Sequence, residues 1–118
     1  MYFKSIEDLK AIEPVIYGTW NKEYLYEYLV WSCNNRFREY IDAFFANYED
    51  DEKLVDLLFE ILLDDYYDGS DSQMGAARYI RKMSRNLLRC KKDLLLKAQG
   101  NDVTWKRPFP NDEDLTWL

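Results

Sequence analysis

The sequence predicts an all-α protein, an irregular bundle of about four helices closed by an extended C-terminal tail over residues 101–118. Three observations carry that expectation. Apolar residues recur at three- and four-residue spacing through 22–46, 50–67 and 73–98. Polar, turn-forming residues separate these stretches, and no segment shows convincing strand alternation. At 118 residues, 47% of them apolar, the chain forms a single domain with a core of its own.

The elements follow in order. Ser5 and Asp8 make a capping box before a short helix, Ile6 to Glu13, anchored by Leu9 and Ile12 and ended by Pro14. Residues 15–20 read as a connector with Gly18 as its flexible point. Asn21 caps a long helix from Lys22 to Ala46 or Asn47, with Leu25, Leu29, Cys33, Phe37, Ile41, Phe44 and Tyr48 on one side. Asn34 and Asn35 are its weak point, where it kinks or divides. Residues 47–51 turn into the next helix.

That next helix, Asp50 to Tyr67, is acidic. Leu54, Leu57, Leu58, Ile61 and Leu62 form its apolar face, widened by Val55, Phe59 and Leu63. Glu52, Asp56, Glu60 and Asp64 fall opposite, each four residues from the next. Like charges at that spacing cost a helix about 0.2–0.5 kcal/mol per pair. Asp50 or Asp51 suits the N-cap, whereas Asp64, Asp65 and Asp68 sit at the wrong end of the dipole. Helix stability does not account for them.

DGSDS (residues 68–72) breaks the helix, and Gln73 to Ala98 reads as one further long helix stopped at Gly100. Ala76, Ile80, Met83, Leu87, Cys90, Leu94 and Ala98 make its apolar stripe; Arg78, Arg81, Lys82, Arg85, Arg89 and Lys92 share the other face. Packed through their apolar sides, the two helices turn their charges outward as separate negative and positive strips. Residues 39–72 carry a net −11 and residues 73–100 a net +7, within a whole-chain charge of −6. Such asymmetry points to electrostatic recognition or steering, against the plainer reading of two solvated faces. In the tail, Trp105 and Phe109 are expected to pack back on the helices, with 111–114 exposed.

Catalytic chemistry has little to work with. There is no histidine, which removes the usual nucleophile pairs, the commonest general base and the commonest transition-metal ligand. The four glycines are isolated, so no phosphate loop is present. DDYYDGSD places Gly69 as a calcium loop would, but Tyr66 and Gly75 then occupy ligand positions that need oxygen donors. Glu49, Glu52, Glu60 and Asp64 lack the second facing carboxylate motif of an all-α nucleotide pyrophosphohydrolase. The expectation is a non-enzyme without metal, cofactor or small-molecule ligand. Cys33 and Cys90 read as buried core residues, not as a disulfide or metal pair. No secretory signal or membrane-spanning run is legible, and a cytoplasmic setting is expected. Ten Tyr, six Phe and four Trp are a soft pointer to a recognition surface.

KEYLYEYLVW (22–31), YIDAFFANYEDDEKLVDLLFEILLDD (40–65) and SQMGAARYIRKM (72–83) lie in a small, acidic, aromatic-rich helical chain. In that general character the chain resembles the bacterial immunity proteins, particularly those of contact-dependent growth inhibition systems. The resemblance implies a cognate toxin domain as partner. Toxin nucleases usually carry a basic cleft, so an acidic helix covering it competes with nucleic acid, and opposite charge speeds association. On that argument Glu52, Asp56, Glu60, Asp64, Asp65 and Asp68 meet the toxin, with Tyr66 and Tyr67 as aromatic anchors. The alternative is a nucleic-acid-associated regulator using the basic face; the overall charge and the acidic helix next to it argue against that.

Overall fold

The computed structural model describes residues 5–64 and 70–100. Among them are seven helices and one two-stranded hairpin: α1 Ile6–Lys10, β1 Val15–Ile16, β2 Thr19–Trp20, α2 Lys22–Trp31, α3 Asn35–Ala46, α4 Glu52–Leu62, α5 Asp71–Arg81, α6 Arg85–Arg89 and α7 Lys92–Gln99. The chain is mostly helical, as its periodicity predicts, but more finely divided. The expected tail, with Trp105 and Phe109, lies outside the described residues.

Each expected long helix is cut by a local cap. The first divides at its asparagines: the Asn34 side chain accepts from Arg36 N at 2.9 Å and starts α3. Arg38 closes the cut from the other side, donating to the carbonyls of Ser32 (3.0 Å) and Cys33 (3.1 Å) at the end of α2. These are orphan carbonyls that a helix end must satisfy. The second divides twice. Ser84 caps α6 by accepting from Leu87 N at 3.2 Å, while its own N–H donates to Glu49 O at 2.9 Å. That bond ties the break to the turn before α4. A second turn at Cys90 and Lys91 starts α7. The single basic face expected over 73–98 is therefore spread over three helices.

The connector at 15–20 is the hairpin, with Val15 opposite Trp20 and Ile16 opposite Thr19. Period-2 patterning cannot reveal strands of two residues, and the turn itself departs from the preferred residues. Tyr17 (φ 52°) and Gly18 (φ 77°) both take positive φ, as a two-residue type I′ turn requires, though Asn or Asp is the usual first residue. The capping box at Ser5 is present; α1 ends at Lys10, earlier than the expected Glu13.

The core sits where α5 packs between α2 and α4. Leu54, Val55, Leu58, Phe59, Ile61 and Leu62 of α4 are all buried, against Leu25, Tyr28 and Leu29 of α2 and Ala76, Ala77, Tyr79 and Ile80 of α5. At the α2–α5 crossing a Cβ on Gly75 would lie 2.4 Å from Leu29 O. The two backbones therefore meet at glycine distance. Trp20 leads a second, aromatic cluster: its ring lies 5.1 Å from Tyr48 and 6.3 Å from both Phe44 and Phe45, which fixes the hairpin on α3. Neither cysteine is a core residue. Cys33 is half-buried and Cys90 exposed, both as free thiols, because the divisions at 32–34 and 90–91 take each off the apolar stripe.

Candidate functional site

The acidic helix starts at Asp51, whose side chain caps it by accepting from Leu54 N at 3.0 Å. Its other carboxylate oxygen accepts from Trp20 Nε1 at 3.1 Å, so one residue both begins α4 and holds the hairpin. From there Glu52, Asp56 and Glu60 point outward along α4, all three exposed, with Glu49 and Asp50 exposed in the turn before them. This row stands where the four-residue spacing puts it.

The end of the row differs from expectation. α4 stops at Leu62, short of Tyr67, and Asp64 lies beyond it, half-buried. The stop is made by Gln73, the residue at which the next helix is expected to begin. Its buried amide Nε2 donates toward the carbonyls of Asp64 (3.0 Å), Leu62 (3.3 Å) and Ile61 (3.4 Å). Its Oε1 accepts from Ser70 N at 3.3 Å in a capping box that starts α5. One side chain thus finishes α4 and begins α5. Asp65, Tyr66, Tyr67 and Asp68, the remaining expected contact residues, lie outside the described residues.

The two charged segments do not turn wholly away from each other, as separate strips require. Lys91 reaches from the α6–α7 turn to α4 and pairs with both Asp56 (2.8 Å) and Glu52 (3.1 Å). Lys91 donates to the Asp56 and Glu52 carboxylates, and those bonds raise its pKa above the ordinary value. Lys22, at the start of α2, pairs with Glu60 at 2.5 Å, and that bond raises its pKa too. The like-charge repulsion along α4 is therefore relieved by two cations remote in sequence. Nothing in the local pattern around either lysine signals this.

Arg78 is likewise engaged. Its guanidinium grips Asp42 of α3 through two bonds, 3.0 and 2.7 Å, and Tyr79 OH donates to the same carboxylate at 2.9 Å. Burial alone pushes the Asp42 carboxyl up; the bonds from Arg78 and Tyr79 outweigh it and hold it below the ordinary range. The Asp42 pair ties α3 to α5, which makes it architecture and not a binding group. Arg81 is half-buried, while Lys82, Arg85, Arg89 and Lys92 are exposed on three separate elements.

No protein-family model, curated protein or solved structure matches this chain. Among the described residues there is no group of three or more His, Cys, Asp or Glu that could hold a metal ion, and no helix long and apolar enough to cross a membrane. A shallow depression of about 280 Å³ at the α6–α7 turn is lined by Arg89, Cys90, Lys91, Lys92, Asp93 and Leu94. What the surface offers is charge. Over residues 49–64 there are seven carboxylates, against Lys53 in the same segment and the two lysines that reach in.

Proposed function

We propose that this chain is an immunity-type inhibitor, which binds a basic bacterial toxin domain, in particular a nuclease, through the acidic face of α4 and covers the cleft that receives nucleic acid. The observation that carries the reading is the exposed row Glu52, Asp56 and Glu60, continued by Glu49 and Asp50, whose charge exceeds what Lys22, Lys53 and Lys91 neutralise. Excess charge of one sign along a rigid element attracts an oppositely charged partner and speeds its docking. A helix is a suitable carrier because its spacing is fixed. The bonds from Gln73 and Asp51 hold both ends of that helix in place.

The nucleic-acid alternative has fewer cations to draw on, since Arg78 pairs with Asp42 and Lys91 with α4, while Lys82, Arg85, Arg89 and Lys92 are exposed.

The test is capture on the immobilised protein from the source cell's lysate at two salt concentrations, with mass spectrometry of the eluate. The variant Glu52→Gln/Asp56→Asn/Glu60→Gln runs beside it. Retention of a basic nuclease domain by the wild type, lost in the variant and weakened by salt, supports the reading. Equal retention by a variant with an unchanged circular dichroism spectrum, or retention of nucleic acid alone, overturns it.

A further inference from the structure

The acidic and basic segments meet along a border that two sets of contacts fix. Lys91 donates to Asp56 at 2.8 Å and to Glu52 at 3.1 Å, which sets the α6–α7 turn against α4. The backbone bond from Ser84 N to Glu49 O, 2.9 Å, sets the start of α6 against the turn before α4. Arg89 and Lys92 line the same depression as Lys91, so they stand on the basic side of that border. Arg89 and Lys92 are exposed there, as Glu52 and Asp56 are on the acidic side.

Lys91 does not exhaust its partners. While paired with it, the Glu52 and Asp56 side chains remain 68% and 52% exposed, against 17% for Lys91 itself. A carboxylate offers several acceptor positions, so each can take a further cation from outside the molecule. Leu94, 37% exposed, also lines the depression and gives the patch an apolar spot. Charged and polar groups around an apolar centre are the usual anatomy of a protein interface. Asp93 is the one acid in the lining of the depression.

A surface with an acidic half beside a basic half is complementary to itself. A two-fold axis through the border lays the acidic half of one copy on the basic half of the other, and does so twice. A polycation matches only one half and a polyanion only the other, whereas a second copy always carries both. We infer that this patch is an isologous homodimer interface, in which Glu52 and Asp56 of each copy pair with Arg89 and Lys92 of the other about an axis near Lys91. The inference stands apart from the function proposed above. Its consequence for that function is competition, because a second copy and a basic partner claim the same carboxylates. The net charge of −6 on each copy opposes association at long range. In about 0.1 M salt the screening length is about 10 Å, which weakens that repulsion more than pairing at contact distance. A small patch of this kind supports a weak dimer, with Kd on the order of 10–100 µM.

Sedimentation velocity of the full chain tests this, across concentrations spanning that range and at about 0.1 M and about 1 M salt. The mass is expected to rise from 14.3 kDa towards twice that value at the lower salt and to return at the higher. Glu52→Lys/Asp56→Lys and Arg89→Glu/Lys92→Glu should each weaken the dimer at least about tenfold, with unchanged circular dichroism spectra. Mixed in equal amounts, the two variants should associate, since one then presents two basic halves and the other two acidic ones. Arg89→Glu/Lys92→Glu leaves the α4 carboxylates and Lys91 in place, so it tests the interface even where the other variant fails to fold. A wild type that stays monomeric at the lower salt overturns the inference, and a nucleic-acid mobility shift by that monomer would assign the basic half to phosphates instead. A dimer that neither salt nor Arg89→Glu/Lys92→Glu weakens overturns it too. So do two folded, monomeric variants that remain monomeric on mixing.

Discussion

Replacing Gly75 by alanine sets two effects of known size against each other. Gly75 lies inside α5, where alanine is better than glycine by about 1 kcal/mol on helix propensity. Judged by that alone, the substitution stabilises. The structure predicts the opposite sign. The new Cβ would lie 2.4 Å from Leu29 O, 2.9 Å from Leu29 C and 2.9 Å from Ser32 Oγ. The serine hydroxyl can rotate aside, but the Leu29 carbonyl belongs to the backbone of α2 and moves only with that helix. Separating α2 from α5 loosens the packing of Leu25, Leu29 and Ala76, all fully buried. Overpacking of a core costs about 1–3 kcal/mol in moderate cases, and contact with backbone belongs at the upper end. The net expectation is a loss of about 1–2 kcal/mol, or roughly 4–10 °C in Tm. Urea unfolding followed by circular dichroism measures it, with Ser32→Ala/Gly75→Ala as the second variant. The double variant should recover little, because it removes the contact that can already give way. A Gly75→Ala protein with an unchanged or higher midpoint refutes the close α2–α5 crossing.

Two further perturbations test other joints. Asp42→Ala removes the acceptor shared by Arg78 and Tyr79 and is expected to cost about 2 kcal/mol at neutral pH. The folded Asp42 carboxyl titrates below its ordinary value of 3.8, so its contribution is complete above that value and is lost as pH falls through the folded one. The difference in unfolding free energy between wild type and Asp42→Ala should therefore shrink below about pH 4, and a constant difference there contradicts the assignment. Gln73→Leu keeps a similar volume but withdraws the amide from the carbonyls of Ile61, Leu62 and Asp64. An expected loss of about 2 kcal/mol should come with faster hydrogen exchange at the end of α4, and unchanged exchange there would show that Gln73 does not hold it.

The parts legible in the sequence are those governed by residues within a few positions of one another. The apolar face of α4, its Asp51 cap, the Asn21 cap and the Ser5 capping box are all set by local spacing and local hydrogen bonds. So is the outward row Glu52, Asp56 and Glu60. The divisions are less legible, because caps inside an apolar period compete with its continuation. Asn34 announces itself as a break, whereas Ser84 is one serine in a basic stretch and acts with a backbone partner, Glu49 O, that only the fold brings near. The hairpin is too short for any period. The pairing of Lys91 with Glu52 and Asp56, of Lys22 with Glu60 and of Gln73 with the end of α4 joins different elements, so no pattern read along one element contains it.

Those remote pairings bear on why the acidic row exists. Ion pairs as exposed as Lys22 with Glu60 contribute little to stability, about 0–1 kcal/mol, so the fold gains little from keeping both partners. Lys91 serves two carboxylates and therefore leaves its cluster negative. With Glu49 and Asp50 also exposed, the row's five carboxylates stand beside three lysines, Lys22, Lys53 and Lys91. Solubility does not require this arrangement, since the same net charge dispersed over the surface would serve without placing like charges four residues apart. On the function proposed above, a row that is capped at both ends and stays exposed is kept for the cationic surface it would meet. The two lysines then have a second consequence. By occupying Asp56 and Glu60 in the free protein they impose an exchange of ion pairs on docking. A matched basic partner offsets that exchange with several cations at once, whereas an isolated one does not.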